Sequence, residues 1–198
     1  MHPAGHQGVA LLLYAPLAFF LLLQEAYILA LCGLFIMFGL AMFPDIDMRL
    51  PWVPHRGPTH TVWFALVTGG GVAIIGLLAG RGIVEGVTWV TEAFAGVLTT
   101  ADVARIEDFS VQLSPIRLAA FGFVVGTLSV ISHLLGDALT PMGIAPFSLA
   151  PFSSVADQRY SLNITKAANP LLNTLLFLGG WVAIGVAIVA AVPVFAWV

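Results

Sequence analysis

The apolar run from Val9 to Phe43, broken only by Gln24 and Glu25, constrains this chain more than any other feature. As one helix it would be about 50 Å long, whereas the apolar core of a bilayer is about 30 Å thick. It therefore reads as a tight hairpin of two short spans turning near Gln24, the first from Val9 to Leu23. Composition agrees with lipid as the solvent: 60% of the residues are hydrophobic and 9% charged, against about 25% charged in soluble domains.

Three further spans follow from the same reading, at Val62 to Ala79, Ile116 to Leu139 and Pro170 to Val192. The expected fold is all-α, a polytopic membrane helix bundle of about five spans in one domain over residues 1–198. Residues 81–115 form an extramembrane or interfacial insertion. Within it Ile83, Val87, Val90, Phe94 and Val97 recur at helical spacing, with Glu85 and Glu92 on another face, which predicts an amphipathic helix lying on the membrane surface. Cys32 is the only cysteine, so no intrachain disulfide or cysteine metal site is available. Seven Lys and Arg, a net charge of -3 and no basic run exclude nucleic acid as a partner and leave membrane lipid. No cleavable signal peptide is expected at the N-terminus.

Five spans place the N-terminus, the loop Pro44–Thr61 and the loop Thr140–Asn169 on one side of the bilayer. All five histidines (His2, His6, His55, His60 and His133) then reach that side, together with Asp45, Asp47, Asp137 and Asp157. The side also carries Arg49, Arg56, Arg159 and Lys166, against Arg81, Arg105 and Arg117 opposite. The positive-inside rule thus places it, by a narrow margin, in the cytoplasm of a cell with an inner membrane.

His133 and Asp137 stand at i and i+4 and share a helix face. They either bind one ion together or form a hydrogen bond that staples two helices. Asp45 and Asp47 in FPDID either converge on one centre or form a solvated loop. His55 and His60 flank a loop glycine and can offer imidazoles, while Arg56 can clamp a phosphate or meet lipid headgroups. Taken together, these His and Asp residues suit a first-row divalent metal, zinc first and manganese or iron after it. Such an ion lowers the pKa of bound water toward ~7 and supplies a hydroxide nucleophile. No GxSxG, HExxH, CxxC or glycine-rich phosphate loop competes with this reading.

At these residues the chain resembles the YdjM-like membrane proteins, described as inner-membrane-associated metal-dependent hydrolases. The matching pieces are Gly5-His6, PDID at Pro44–Asp47, HRGPTH at His55–His60, SHLLGDALTPMG at Ser132–Gly143 and QRYSL at Gln158–Leu162. The pattern is also distantly similar to zinc-dependent phospholipase C. The resemblance implies the ligands His6, Asp45, His60, His133 and Asp137, with Asp47 and His55 close by. The soluble relatives add later ligands, but here no histidine follows His133 and the only later carboxylate is Asp157. The residues thus support one complete metal site and a partial second.

The expected activity is hydrolysis of a phosphoester or phospholipid. Arg56 and Arg159 would hold phosphate oxygens, and Asp47 or His55 would move protons. The alternative is a non-catalytic transporter or a metal-stabilised scaffold.

Overall fold

A computed structural model describes residues 1–53, 55–148 and 158–195; Asp157 lies outside them. It is 75% helical, without strands among the described residues, and five of its helical segments are long and apolar enough to cross a membrane. The helices are α1 (Pro3–Leu23), α2 (Tyr27–Leu40), α3 (Val62–Ala93), α4 (Thr100–Gln112), α5 (Pro115–Ala138) and α6 (Pro170–Phe195). Short 3₁₀ turns at Phe43–Arg49 and Pro58–His60 lie between α2 and α3.

Local chemistry sets the ends of these helices. Glu25, at φ 56°, turns the chain between α1 and α2. Pro44 cannot extend α2 by a further α-helical hydrogen bond. Thr61 caps α3 by accepting from the Phe64 N–H, and Thr99 and Asp102 form a capping box at α4. Pro115 and Pro170 occupy first-turn positions, where a missing N–H is harmless.

Two closely packed pairs, α3 with α5 and α1 with α6, form the frame, and α1 also packs on α2 and α5. In lipid, apolar surface gives no drive for helix association, so small residues that let backbones approach decide the pairing. A Cβ on Gly122 would lie 2.7 Å from the Val72 carbonyl oxygen, and one on Gly126 would lie 3.0 Å from Gly69 Cα. The α3–α5 contact therefore depends on both glycines. The buried centre joins Leu11 and Tyr14 of α1 to Met37, Val125 and Ile184, and the Tyr14 hydroxyl donates to the Ala30 carbonyl at 2.6 Å. Phe35, Val67, Ile75 and Val182 point outward, as lipid-facing side chains do.

Two sequence expectations need correction in their boundaries. Helix α1 begins at Pro3 rather than Val9, so His6 belongs to its first turns instead of preceding it. Helix α3 runs unbroken for 32 residues, through the stretch read as a separate surface helix from Ile83. The separate polar helix is α4, of 13 residues. Ile83, Val87 and Val90 line a cavity together with Ile106 and Phe109 of α4. The apolar stripe thus has α4 as its neighbour.

Candidate metal centre

Four segments bring ionisable groups to one end of the bundle: the start of α1, the Phe43–Arg49 turn, the Pro58–His60 turn and the end of α5. A 3₁₀ turn repeats every three residues, so side chains at i and i+3 eclipse. In the first turn this separates the two aspartates. Asp47 shares the buried face with Pro44, whereas Asp45 lies on a neighbouring face and keeps its side chain 18% exposed. On α5 the i, i+4 spacing aligns His133 with Asp137, and both are buried.

Four electron-rich atoms converge. His60 Nε2 lies 3.1 Å from His133 Nε2, 3.5 Å from Asp45 Oδ1 and 3.4 Å from Asp137 Oδ2. His133 Nε2 lies 3.4 Å from Asp45 Oδ1 and 3.6 Å from Asp137 Oδ2. A tetrahedral ion with ligands about 2.0–2.1 Å away sets ligand separations of about 3.3–3.4 Å. The separations within Asp45, His60 and His133 lie near that value, and this trio, His6 with His133 and Asp137, and Asp47 with His55 and His60 are the three groups among the described residues that could hold an ion.

The outer nitrogens explain why both Nε2 atoms are free to ligate. His133 Nδ1 contacts the Ala41 carbonyl at 2.7 Å, and a carbonyl only accepts, so Nδ1 carries the proton. That carbonyl is among those that the end of α2 leaves without a helical partner. His60 Nδ1 lies 3.0 Å from Thr59 Oγ1, whose own proton goes to Asp47 Oδ2, so Nδ1–H donates to that hydroxyl; Asp47 Oδ2 stands 3.2 Å away and favours the same tautomer. In the neutral form both Nε2 lone pairs would thus face each other and two carboxylate oxygens, and only a cation or a proton satisfies that convergence. Burial alone would lower the pKa of His60, but hydrogen bonds to Asp137 and Asp45 outweigh it and hold His60 above its ordinary value.

Asp47 is a positioning carboxylate rather than a ligand of this set. Its Oδ2 accepts from the Thr59 hydroxyl at 2.7 Å and the Arg56 N–H at 3.1 Å, and its Oδ1 lies 2.9 Å from His55 Nδ1. His55 keeps its side chain 43% exposed at the edge of the cluster.

Asp137 turns its other oxygen to a second group. Oδ1 meets the Arg56 guanidinium at 2.8 Å, the Met1 amino group at 2.8 Å and His6 Nε2 at 3.4 Å. His6 stacks on His133 with centroids 3.7 Å apart, and its Nδ1 is buried without a hydrogen-bond partner. Arg56 sits at φ 59°, a conformation that a non-glycine residue keeps only when its surroundings hold it. They do so here: its terminal nitrogens also reach the Gly143 carbonyl at 3.0 Å and the Thr140 hydroxyl at 3.3 Å.

The structure therefore joins His6, Asp45, Asp47, His55, Arg56, His60, His133 and Asp137. Arg159 stands apart: it is exposed, and its guanidinium is 3.5 Å from the Met142 carbonyl. Sequence reading missed Arg49, which lines a cavity beside Asp45. The signal was its place in the 3₁₀ turn, where Phe43, Ile46 and Arg49 are all exposed.

Fold and site together define a polytopic helical membrane protein with a His/Asp cluster, able to hold a metal ion, at one end of its spans. The model of the YdjM inner membrane protein family matches residues 1–198, and the chain belongs to that family. The chain matches no curated protein and no solved structure.

Proposed function

We propose that this protein is a membrane-embedded, metal-dependent hydrolase of phosphoesters, with phospholipids as the substrate class. The observation that carries the reading is the convergence of His60 Nε2, His133 Nε2 and Asp45 Oδ1 at 3.1, 3.4 and 3.5 Å from one another, with Asp137 Oδ2 3.4 and 3.6 Å from the two imidazoles. Mixed imidazole and carboxylate donors suit zinc, manganese or iron. Such an ion, when bound, supplies Lewis acidity and lowers the pKa of coordinated water toward ~7.

The chain's own residues have separable tasks. Asp47 and the Ala41 carbonyl orient the two imidazoles. Arg56 neutralises Asp137 Oδ1 and is engaged inside the site, so it holds the ligand carboxylate rather than a substrate phosphate. Asp45 opens toward a cavity of about 750 Å³, which gives substrate a route to the cluster. His55, half exposed and bonded to Asp47, can carry a proton between the site and water.

Substituting His60→Ala or Asp137→Ala in protein that still folds abolishes hydrolysis of a phospholipid panel on this reading. Equal activity in wild type and both variants sinks it. One feature favours a second reading, a metal-stabilised scaffold: Asp137 beside Asp45, His60 and His133 would bring the donors to four, the closed number of structural zinc sites. Bound metal that raises the unfolding temperature, with no turnover of any phosphoester, selects the scaffold.

A further inference from the structure

The Phe43–Arg49 turn does more than deliver Asp45. Because side chains three apart eclipse in a 3₁₀ turn, Phe43, Ile46 and Arg49 form one row on its exposed face. Met48, 71% exposed, lies next to that row, and Met42 packs below. These five residues and Asp45 line one wall of the 750 Å³ cavity. The wall is apolar along its length and carries one cation at its end. Arg49 pairs with no carboxylate among the described residues, whereas the Arg56 guanidinium is held inside the cluster by Asp137.

We propose that Arg49 is the phosphate-positioning residue of this cavity and that its ligand is an anionic amphiphile. The phosphate of the ligand lies between Arg49 and the Asp45 edge of the metal cluster, and its hydrocarbon chain runs over Ile46 and Phe43. A guanidinium matches phosphate oxygens with two parallel N–H donors. The apolar row closes the candidate span Tyr27–Arg49, so by length it falls at the end of the apolar core, where a lipid would pass from chain to headgroup. The proposal rests on the phosphoester reading of the site, but its test does not need turnover.

The experiment is calorimetric titration of the full chain, purified in dodecyl maltoside, with dihexanoyl phosphatidate and separately with inorganic phosphate. Wild type binds the lipid more tightly than inorganic phosphate. Arg49→Ala weakens lipid binding by about tenfold or more, and Arg49→Lys recovers part of it. Ile46→Ser removes apolar surface without adding charge beside Arg49, so it weakens binding of the lipid and leaves inorganic phosphate unchanged. Arg49 is exposed and unpaired, so its variants keep the unfolding temperature of wild type. Unchanged lipid binding in Arg49→Ala overturns the proposal. Inorganic phosphate binding as tightly as the lipid overturns the amphiphile assignment. Arg49-dependent lipid binding without hydrolysis by metal-loaded protein keeps this site and sinks the hydrolase reading. Hydrolysis with an unchanged KM in Arg49→Ala does the reverse.

Discussion

At the scale of single residues, Asp47 is the carboxylate with the most partners at the edge of the candidate metal site. It collects Thr59, the Arg56 N–H, His55 and His60, and so fixes both a loop and an imidazole. Asp47→Asn keeps the shape but loses the charge that orients the Thr59 hydroxyl toward His60 Nδ1–H. Loss of such an outer partner typically weakens metal binding about 10- to 100-fold, and calorimetric zinc titration of the variant is expected to show that loss. Unchanged affinity would mean that His60 is oriented by packing alone. The same imidazole predicts a pH dependence. Its pKa is raised, so metal-free protein keeps His60 protonated above the ordinary histidine value, and an ion must displace that proton. In the metal-free protein, protonation of His60 favours folding below the ordinary value, and that contribution is lost as pH rises through the raised one. Metal affinity therefore moves the opposite way, rising with pH through the raised value and levelling off above it. Zinc titrations across pH in two buffers check this through the number of protons released; affinity independent of pH would exclude His60 as a ligand. Most of the cluster was legible in the sequence, because lone His and Asp residues stand out in a chain with so few charges. What sequence did not separate was role. Asp45 and Asp47 look alike until the three-residue period of their turn sends one inward and leaves the other at the edge. Arg56 and Arg159 looked equally free until Asp137 was seen to hold the first.

At the scale of elements, the five spans could be read from hydropathy because lipid imposes length and polarity on each helix separately. Their ends were less legible. His6 lies inside α1 because Pro3 can open a helix even though the residues after it are not strongly apolar. The length of α3 was hidden for a different reason: Ile83, Val87 and Val90 face α4, a tertiary neighbour that periodicity alone does not distinguish from a membrane surface. Helix pairing is carried by small residues, and that is testable. Gly122→Leu would drive a side chain into the α3 backbone near Val72, and overpacking of this kind costs about 1–3 kcal/mol. Gly70 is also in α3, but a Cβ there meets nothing within 4 Å. Gly70→Ala is therefore expected to be neutral or to stabilise by up to about 1 kcal/mol through helix propensity. Thermal unfolding in one detergent compares the two. Equal effects would remove close glycine packing as the basis of the α3–α5 pair.

At the scale of the whole molecule, orientation decides which side of the bilayer the cluster opens to. The cluster, the Phe43–Arg49 turn and the start of α6 lie at one end of the bundle, as the contact from the His2 N–H to Asn173 Oδ1 shows. The link between α3 and α5, with the polar helix α4, lies at the other. Arg49, Arg56, Arg159 and Lys166 at the first end outnumber Arg81, Arg105 and Arg117 at the second, so the positive-inside rule predicts that the cluster faces the cytoplasm. Single-cysteine labelling tests this. Cys32 is the chain's one thiol and is replaced by serine first. Ser110→Cys, on α4, and Leu162→Cys, at the cluster end, leave the charge count intact and then receive a membrane-impermeant maleimide in intact spheroplasts. Labelling at position 110 and protection at 162 until the membrane is opened is the expected pattern. The reverse pattern would place the cluster outside, where its metal would come from the periplasm and its lipid from the outer leaflet. The margin of one positive charge also predicts how easily the orientation is disturbed. Arg49→Glu together with Lys166→Glu leaves two positive charges at the first end against three at the second. In that variant, carrying Leu162→Cys, a fraction of molecules should label at 162 in intact cells. An unaltered orientation would show that features other than loop charge, such as the length of α3 beyond the bilayer, set the topology.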